Sequence, residues 1–105
     1  MYRITMSLTG IHKLIISFEH KGLGRFFRTG DCSGLPAKFS TRIERMLDRL
    51  DASTKPDDMH IPGYKFHPLS GNRKGEFSVT VTGNWRITFR FDGENAVDVN
   101  FEDYH

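Results

Sequence analysis

A single cysteine, Cys32, among 105 residues removes an internal disulfide framework and a thiolate zinc cage together, because both need several thiols. Long apolar runs are missing as well. Nothing approaches the roughly 18–20 residues that cross a bilayer, and Leu14-Ile15-Ile16 is too short for a signal-peptide core and lacks a small-residue cleavage site. A soluble, cytoplasmic protein in a reducing compartment is therefore expected. A strong charge of one sign is also missing: 15 Lys+Arg against 13 Asp+Glu leave +2, so bulk charge alone does not announce a nucleic-acid binder. Neither HExxH, GxSxG, a Gly-rich phosphate loop nor paired Cys or His at ligand spacing occurs, so no metal or cofactor is expected. With 37% hydrophobic and 27% charged residues, the composition excludes a disordered or fibrous chain, and the length suits one domain.

What is present is unevenly distributed. From His60 to Phe91 the bases are Lys65, Arg73, Lys74, Arg86 and Arg90, against Glu76 alone; from Asp92 onward come Asp92, Glu94, Asp98, Glu102 and Asp103 and no Lys or Arg. Two explanations stand: cross-strand pairing of opposite charges, or a phosphate-binding surface flanked by carboxylates.

Residues 1–13 lack a sustained period and read as a flexible N-terminal extension, with a single domain over 14–105. Leu14 to Phe18 predicts a short strand. Leu23, Phe26 and Phe27 predict a helix from Gly22 to Thr29, stopped at Gly30. A second helix follows, with Pro36 in its first turn and Phe39, Ile43, Met46, Leu47 and Leu50 on one face. Its basic side chains Lys38, Arg42, Arg45 and Arg49 read as a solvated face rather than as ribosomal RNA contacts. Ala52 to Pro62 reads as a connecting loop.

The period then falls to two. Phe77, Val79 and Val81 alternate with Ser78, Thr80 and Thr82, and Gly83-Asn84 marks a turn. Trp85, Ile87, Phe89 and Phe91 alternate with Arg86, Thr88 and Arg90. After Asp92-Gly93, Val97, Val99 and Phe101 are expected to point one way. The expected class is α+β: an antiparallel sheet with two N-terminal helices packed on one face, leaving Arg86, Thr88 and Arg90 on the opposite, open side. His12, His20 and His60 read as exposed loop residues. His67, before Pro68, and the terminal run Glu102-Asp103-Tyr104-His105 are the candidate site.

The stretches Tyr64 to Val81, Asn84 to Phe89 and Glu102 to His105, supported by Ser17 to Leu23 and Leu47 to Ala52, resemble in their order and terminal placement the HigB branch of the RelE/ParE toxin superfamily. The resemblance implies a RelE-like microbial-RNase fold and the toxin of a type II toxin–antitoxin pair. It implies a ribosome-dependent endoribonuclease cutting mRNA in the A site by metal-free attack of the ribose 2′-OH. The implied partner is a HigA-type helix-turn-helix antitoxin, with operator DNA reached only through it. The matching catalytic positions are His67, Arg86, Asp103, Tyr104 and His105, while Arg73, Lys74 and Arg90 are expected to bind RNA phosphate. Imidazoles titrate near neutral pH and suit proton transfer, in either order, for His67 and His105. Arg86 offers a permanently charged fork to a crowded phosphate. Asp103 could orient a histidine or act as base, and Tyr104 could stack on a base or bond the phosphate. This chain departs from the branch at Ser70, where lysine is common, and at Glu76, where an aromatic is common. Arg73 or Lys74 would then replace the missing lysine, and Glu76 would repel RNA if it shared the face of Arg86. A ParE-like gyrase poison and a catalytically degenerate antitoxin-binding module are the rival readings.

Overall fold

The computed structural model describes residues 15–103. The expectations for the 1–13 extension, His12 and Leu14 lie outside the described residues, as do those for Tyr104 and His105. The elements run α1 (Lys21–Thr29), α2 (Ser40–Asp51), β1 (His67–Pro68), β2 (Phe77–Thr82), β3 (Trp85–Asp92) and β4 (Asn95–Asp103). The four strands form one antiparallel sheet in the order β1-β2-β3-β4. The architecture is α+β, as the change of period from four to two implies.

Each helix starts and stops for a local reason. The Nδ1 of His20 accepts the Leu23 amide at 3.0 Å and caps α1, so His20 is a structural cap, not the idle loop residue expected. Gly30, at φ 83°, returns its amide to the Phe26 carbonyl and ends the helix. The α-helix expected from Pro36 begins only at Ser40, after a 3₁₀ turn over Ala37–Phe39. Arg42 is not solvated as its neighbours are. Its guanidinium donates to the carbonyls of Val81, Gly63 and Thr80 at 2.6, 2.9 and 3.0 Å, tying α2 to the end of β2. The segment from Ala52 to Pro62 is more than a connection: a 3₁₀ turn over Pro56–Met59 drives Met59 into full burial.

The apolar cluster joins Leu23 and Phe26 of α1, Ile43, Met46, Leu47 and Leu50 of α2, and Val79, Val81, Ile87, Phe89, Val99 and Phe101 of the sheet. Two sheet expectations need correction. Residues 15–18 do not form a strand; they run parallel to β4 through bridges at Ile15–Ala96 and Phe18–Val99. Val97 does not share the side of Val99 and Phe101. A bulge in β4, with Asp98 at φ 55°, shifts the phase so that Ala96 and Val99 are buried while Val97 stays half-exposed. The Ser17 hydroxyl accepts the Asp98 amide at 2.8 Å and so braces the bulge.

Candidate active site

The register assembles the site. His67 of β1 lies opposite Ser78, Ser78 opposite Thr88, and Thr88 opposite Asn100, one row across four strands. The next row is Thr80, Arg86 and Glu102. Side chains two apart on a strand share a face, so Arg86, Thr88, Asn100 and Glu102 belong to the same side of the sheet, opposite in parity to Ile87, Phe89 and Phe101.

That side is not the open polar surface expected. Ser78 and Thr88 are 0% and 1% exposed, and Arg86 only 9%. What closes it is an ionic and hydrogen-bonded cluster centred on Glu102. The Glu102 carboxylate accepts from Arg73 Nη1 and Nη2 at 3.0 and 2.5 Å, from the Thr88 hydroxyl at 2.8 Å, from Arg86 Nη2 at 3.3 Å and from Asn100 Nδ2 at 3.5 Å. Arg73 is gripped from its other edge by Glu76, at 3.2 Å from Nε and 2.7 Å from Nη2. Hydrogen bonding from Arg73 is the main cause that pushes the Glu102 carboxyl down to about 2, against the burial that opposes it. The same two carboxylates, Glu102 foremost, hold the Arg73 guanidinium charged far above its ordinary range.

His67, Pro68, Leu69, Ser70, Asn72, Arg73 and Arg86 line a shallow cleft of about 290 Å³. His67 itself is exposed there. Its Nδ1 lies 3.1 Å from the Lys65 carbonyl and its Nε2 3.4 Å from the Ser78 hydroxyl. A carbonyl only accepts, so Nδ1 carries the proton in that contact and the neutral ring is left with an acceptor at Nε2. Lys65 adopts φ 51°, a backbone region uncommon for a residue with a side chain, and its carbonyl is the one that orients the imidazole.

The structure thus brings His67, Arg73 and Arg86 to one cleft. Lys74 is exposed on the adjoining loop. Arg90 is 41% exposed and sits 3.9 Å from both Glu76 and Asp98. Gly75 allows this approach, since a Cβ there would meet the Arg90 guanidinium at 2.9 Å and the backbone holds φ 100°. Glu76 does fall in the group of Arg86, but its charge is shared with Arg73 and Arg90. Asp103 is not among the lining residues of the cleft. It lies opposite Trp85, on the parity of Phe101, on which Trp85 stacks at 4.7 Å. Sequence reasoning names the whole run Glu102 to His105 as candidates but gives a role only to Asp103, Tyr104 and His105, and it passes over Ser78 and Thr88 as site residues. The signal for Glu102 is the alternation itself: counting from buried Phe101, residue 102 falls on the face of Arg86 and residue 103 does not.

Residues 16–105 match the family described as RelE-like toxin of type II toxin-antitoxin system HigB. The chain belongs to the HigB-like toxin family. It is 46% identical over 92 residues to a protein of Proteus vulgaris named Endoribonuclease HigB, covering 88% of this chain and 100% of that one. It is 31% identical over 80 residues to Toxin HigB-1 of Vibrio cholerae serotype O1, covering 74% of this chain and 84% of the relative. A HigB-like toxin of a type II system has an antitoxin as its partner. Among the described residues no helix is long and apolar enough to cross a membrane.

Proposed function

We propose that this HigB-family toxin, an endoribonuclease like its Proteus vulgaris relative, cuts mRNA in the A site of a translating ribosome by attack of a ribose 2′-OH on the adjoining phosphate. One observation carries the reading: an imidazole and two guanidinium groups, those of His67, Arg73 and Arg86, border one cleft. In the reaction a base takes the 2′-OH proton, the O2′–P bond forms, the P–O5′ bond breaks, and an acid returns a proton to the leaving 5′ oxygen. His67, with Nε2 as the acceptor of its neutral ring, suits the base, and His105 the acid. Arg86 faces the charge that builds on the phosphate oxygens, where a preset donor is worth most. Tyr104 assists by stacking on a base, and Asp103, which its register sets off the face of Arg86, assists only indirectly, by orienting His105. Lys74 and Arg90 draw the RNA backbone to the rim, and Arg73 supports the cleft, four of the five N–H donors of its guanidinium being engaged by Glu76 and Glu102.

In this reading residues 14–105 form the single toxin domain of RelE-like microbial-RNase fold, with both helices on one face of the sheet and RNA on the other, and residues 1–13 are an extension. The antitoxin is a HigA-type helix-turn-helix protein, operator DNA is reached only through it, and the toxin acts in the cytoplasm. The test is cleavage of mRNA on programmed ribosomes by the purified chain and by His67→Gln and His105→Gln. Loss of cleavage in both variants is expected; near-normal rates in both overturn the assignment. A chain that halts DNA replication before translation would instead be a gyrase poison.

A further inference from the structure

The two arginines that line the cleft, Arg73 and Arg86, lean on carboxylates that stand outside its lining, and those carboxylates are where its order comes from. Glu102 is flanked by two arginines, accepts from a threonine that is 1% exposed, and is itself braced by Arg73, whose other edge is fixed by Glu76. A carboxylate only accepts, so every donor around it is oriented toward it. Arg73, Thr88 and Asn100 fix where its oxygens lie, and Oε1 in turn takes Nη2 of Arg86. Arg86 and Glu102 are direct cross-strand partners, so the contact is written into the register and does not depend on a loop.

We propose that Glu102 is a positioning residue for RNA cleavage: with Arg73 as its brace and Thr88 as its anchor, it sets the plane of the Arg86 guanidinium toward the phosphate. This rests on reading the cleft as the cleavage site. Glu102 does not touch RNA; it acts through Arg86. A guanidinium held in one plane reaches the crowded phosphate without reorganising, whereas one that must be reoriented in each turnover forfeits that advantage. The chain of support runs Glu76, Arg73, Glu102, Arg86.

The experiment uses the full chain on programmed ribosomes under single-turnover conditions. Glu102→Gln is expected to lower the cleavage rate constant by ~10–100-fold, as a misplacement of about 1 Å does, while the concentration for half-saturation moves less than about threefold. Thr88→Val removes one anchor of Glu102 and leaves every charge in place, so a smaller loss in the same direction is expected. It carries the test alone if Glu102→Gln does not fold. Nitrogen-15-labelled arginine spectra of the RNA-free protein supply a readout that stability does not move: the guanidinium signals of Arg73 and Arg86 should shift or broaden in Glu102→Gln, with the Trp85 indole signal unchanged. Unaltered rate constants in both variants overturn the proposal. So does tighter ribosome binding at an unchanged rate constant, which would make Glu102 a brake on RNA rather than a support. If the wild-type chain itself leaves mRNA intact, the cleavage reading fails instead, and the two failures are told apart by that control.

Discussion

The two faces of one sheet are covered by opposite means. On the apolar side Val79, Ile87, Phe89 and Val99 are buried among apolar side chains, where non-directional attraction proportional to area is enough. On the other side Arg86 and Thr88 are buried among donors and acceptors gathered on Glu102, and Ser78 is buried with its hydroxyl 3.4 Å from Nε2 of His67. The first face tolerates exchange of one apolar shape for another of similar volume. The second does not, because removing one partner strands another polar group away from water. Apolar area holds the first together and directed bonds the second, where the proposed reading puts the chemistry.

That contrast can be broken most forcefully at Arg86. Arg86→Leu should reduce mRNA cleavage by roughly 10²–10³-fold, the scale of losing one preset donor to a charged transition state; a ribosome cleavage assay checks it, and retention of more than a tenth of the activity would place the phosphate elsewhere. On the apolar face, Phe89→Ala should cost about 3–5 kcal/mol in urea unfolding, since Phe89 is fully buried. A loss below about 1 kcal/mol would mean that the core relaxes around it.

Acid should separate the faces without mutation. The Glu102 carboxyl lies near 2 in the folded chain, below its ordinary 4.5. Its contribution is therefore complete above pH 4.5 and is lost as pH falls through about 2, since the unfolded chain takes up the proton first. Urea midpoints measured between pH 5 and 2 should fall, and Glu102→Gln should flatten that fall; an identical slope in the variant would deny the network its role.

Two smaller effects sharpen the picture. Arg42→Lys cannot reproduce three donations to carbonyls and should cost ~1–2 kcal/mol by urea unfolding with no change in cleavage rate. Lys74→Ala, at an exposed side chain, should weaken ribosome binding slightly and reduce the slope of log affinity against log salt by about 1.

Much of this was legible in the residues. Alternation from Phe77 to Phe91 located β2, β3 and the turn between them, because a strand with one apolar side must repeat every two residues. The i, i+4, i+7 run located α2. What local pattern could not reach was what depends on a neighbour: residues 15–18 lie along β4 only because that edge is available, and the Asp98 bulge breaks the alternation that placed Val97 with Val99. The site divides in the same way. His67 and Arg86 were recognisable by residue type and motif, while Glu102, named in the terminal run beside Asp103, was given no role, because its importance lies in four donor residues: Arg73 from the loop, Arg86 and Thr88 from β3, and Asn100 from its own strand.

By itself the sequence determined the class of the fold, the face on which Arg86 lies and the family to which the chain belongs, since period and motif are properties of neighbouring residues. The tertiary structure alone decided that this face is filled rather than open, and that a carboxylate organises it. Hydrogen bonds and ion pairs act over a few ångströms in space, so their partners are settled by strand register and loop closure, not by distance along the chain.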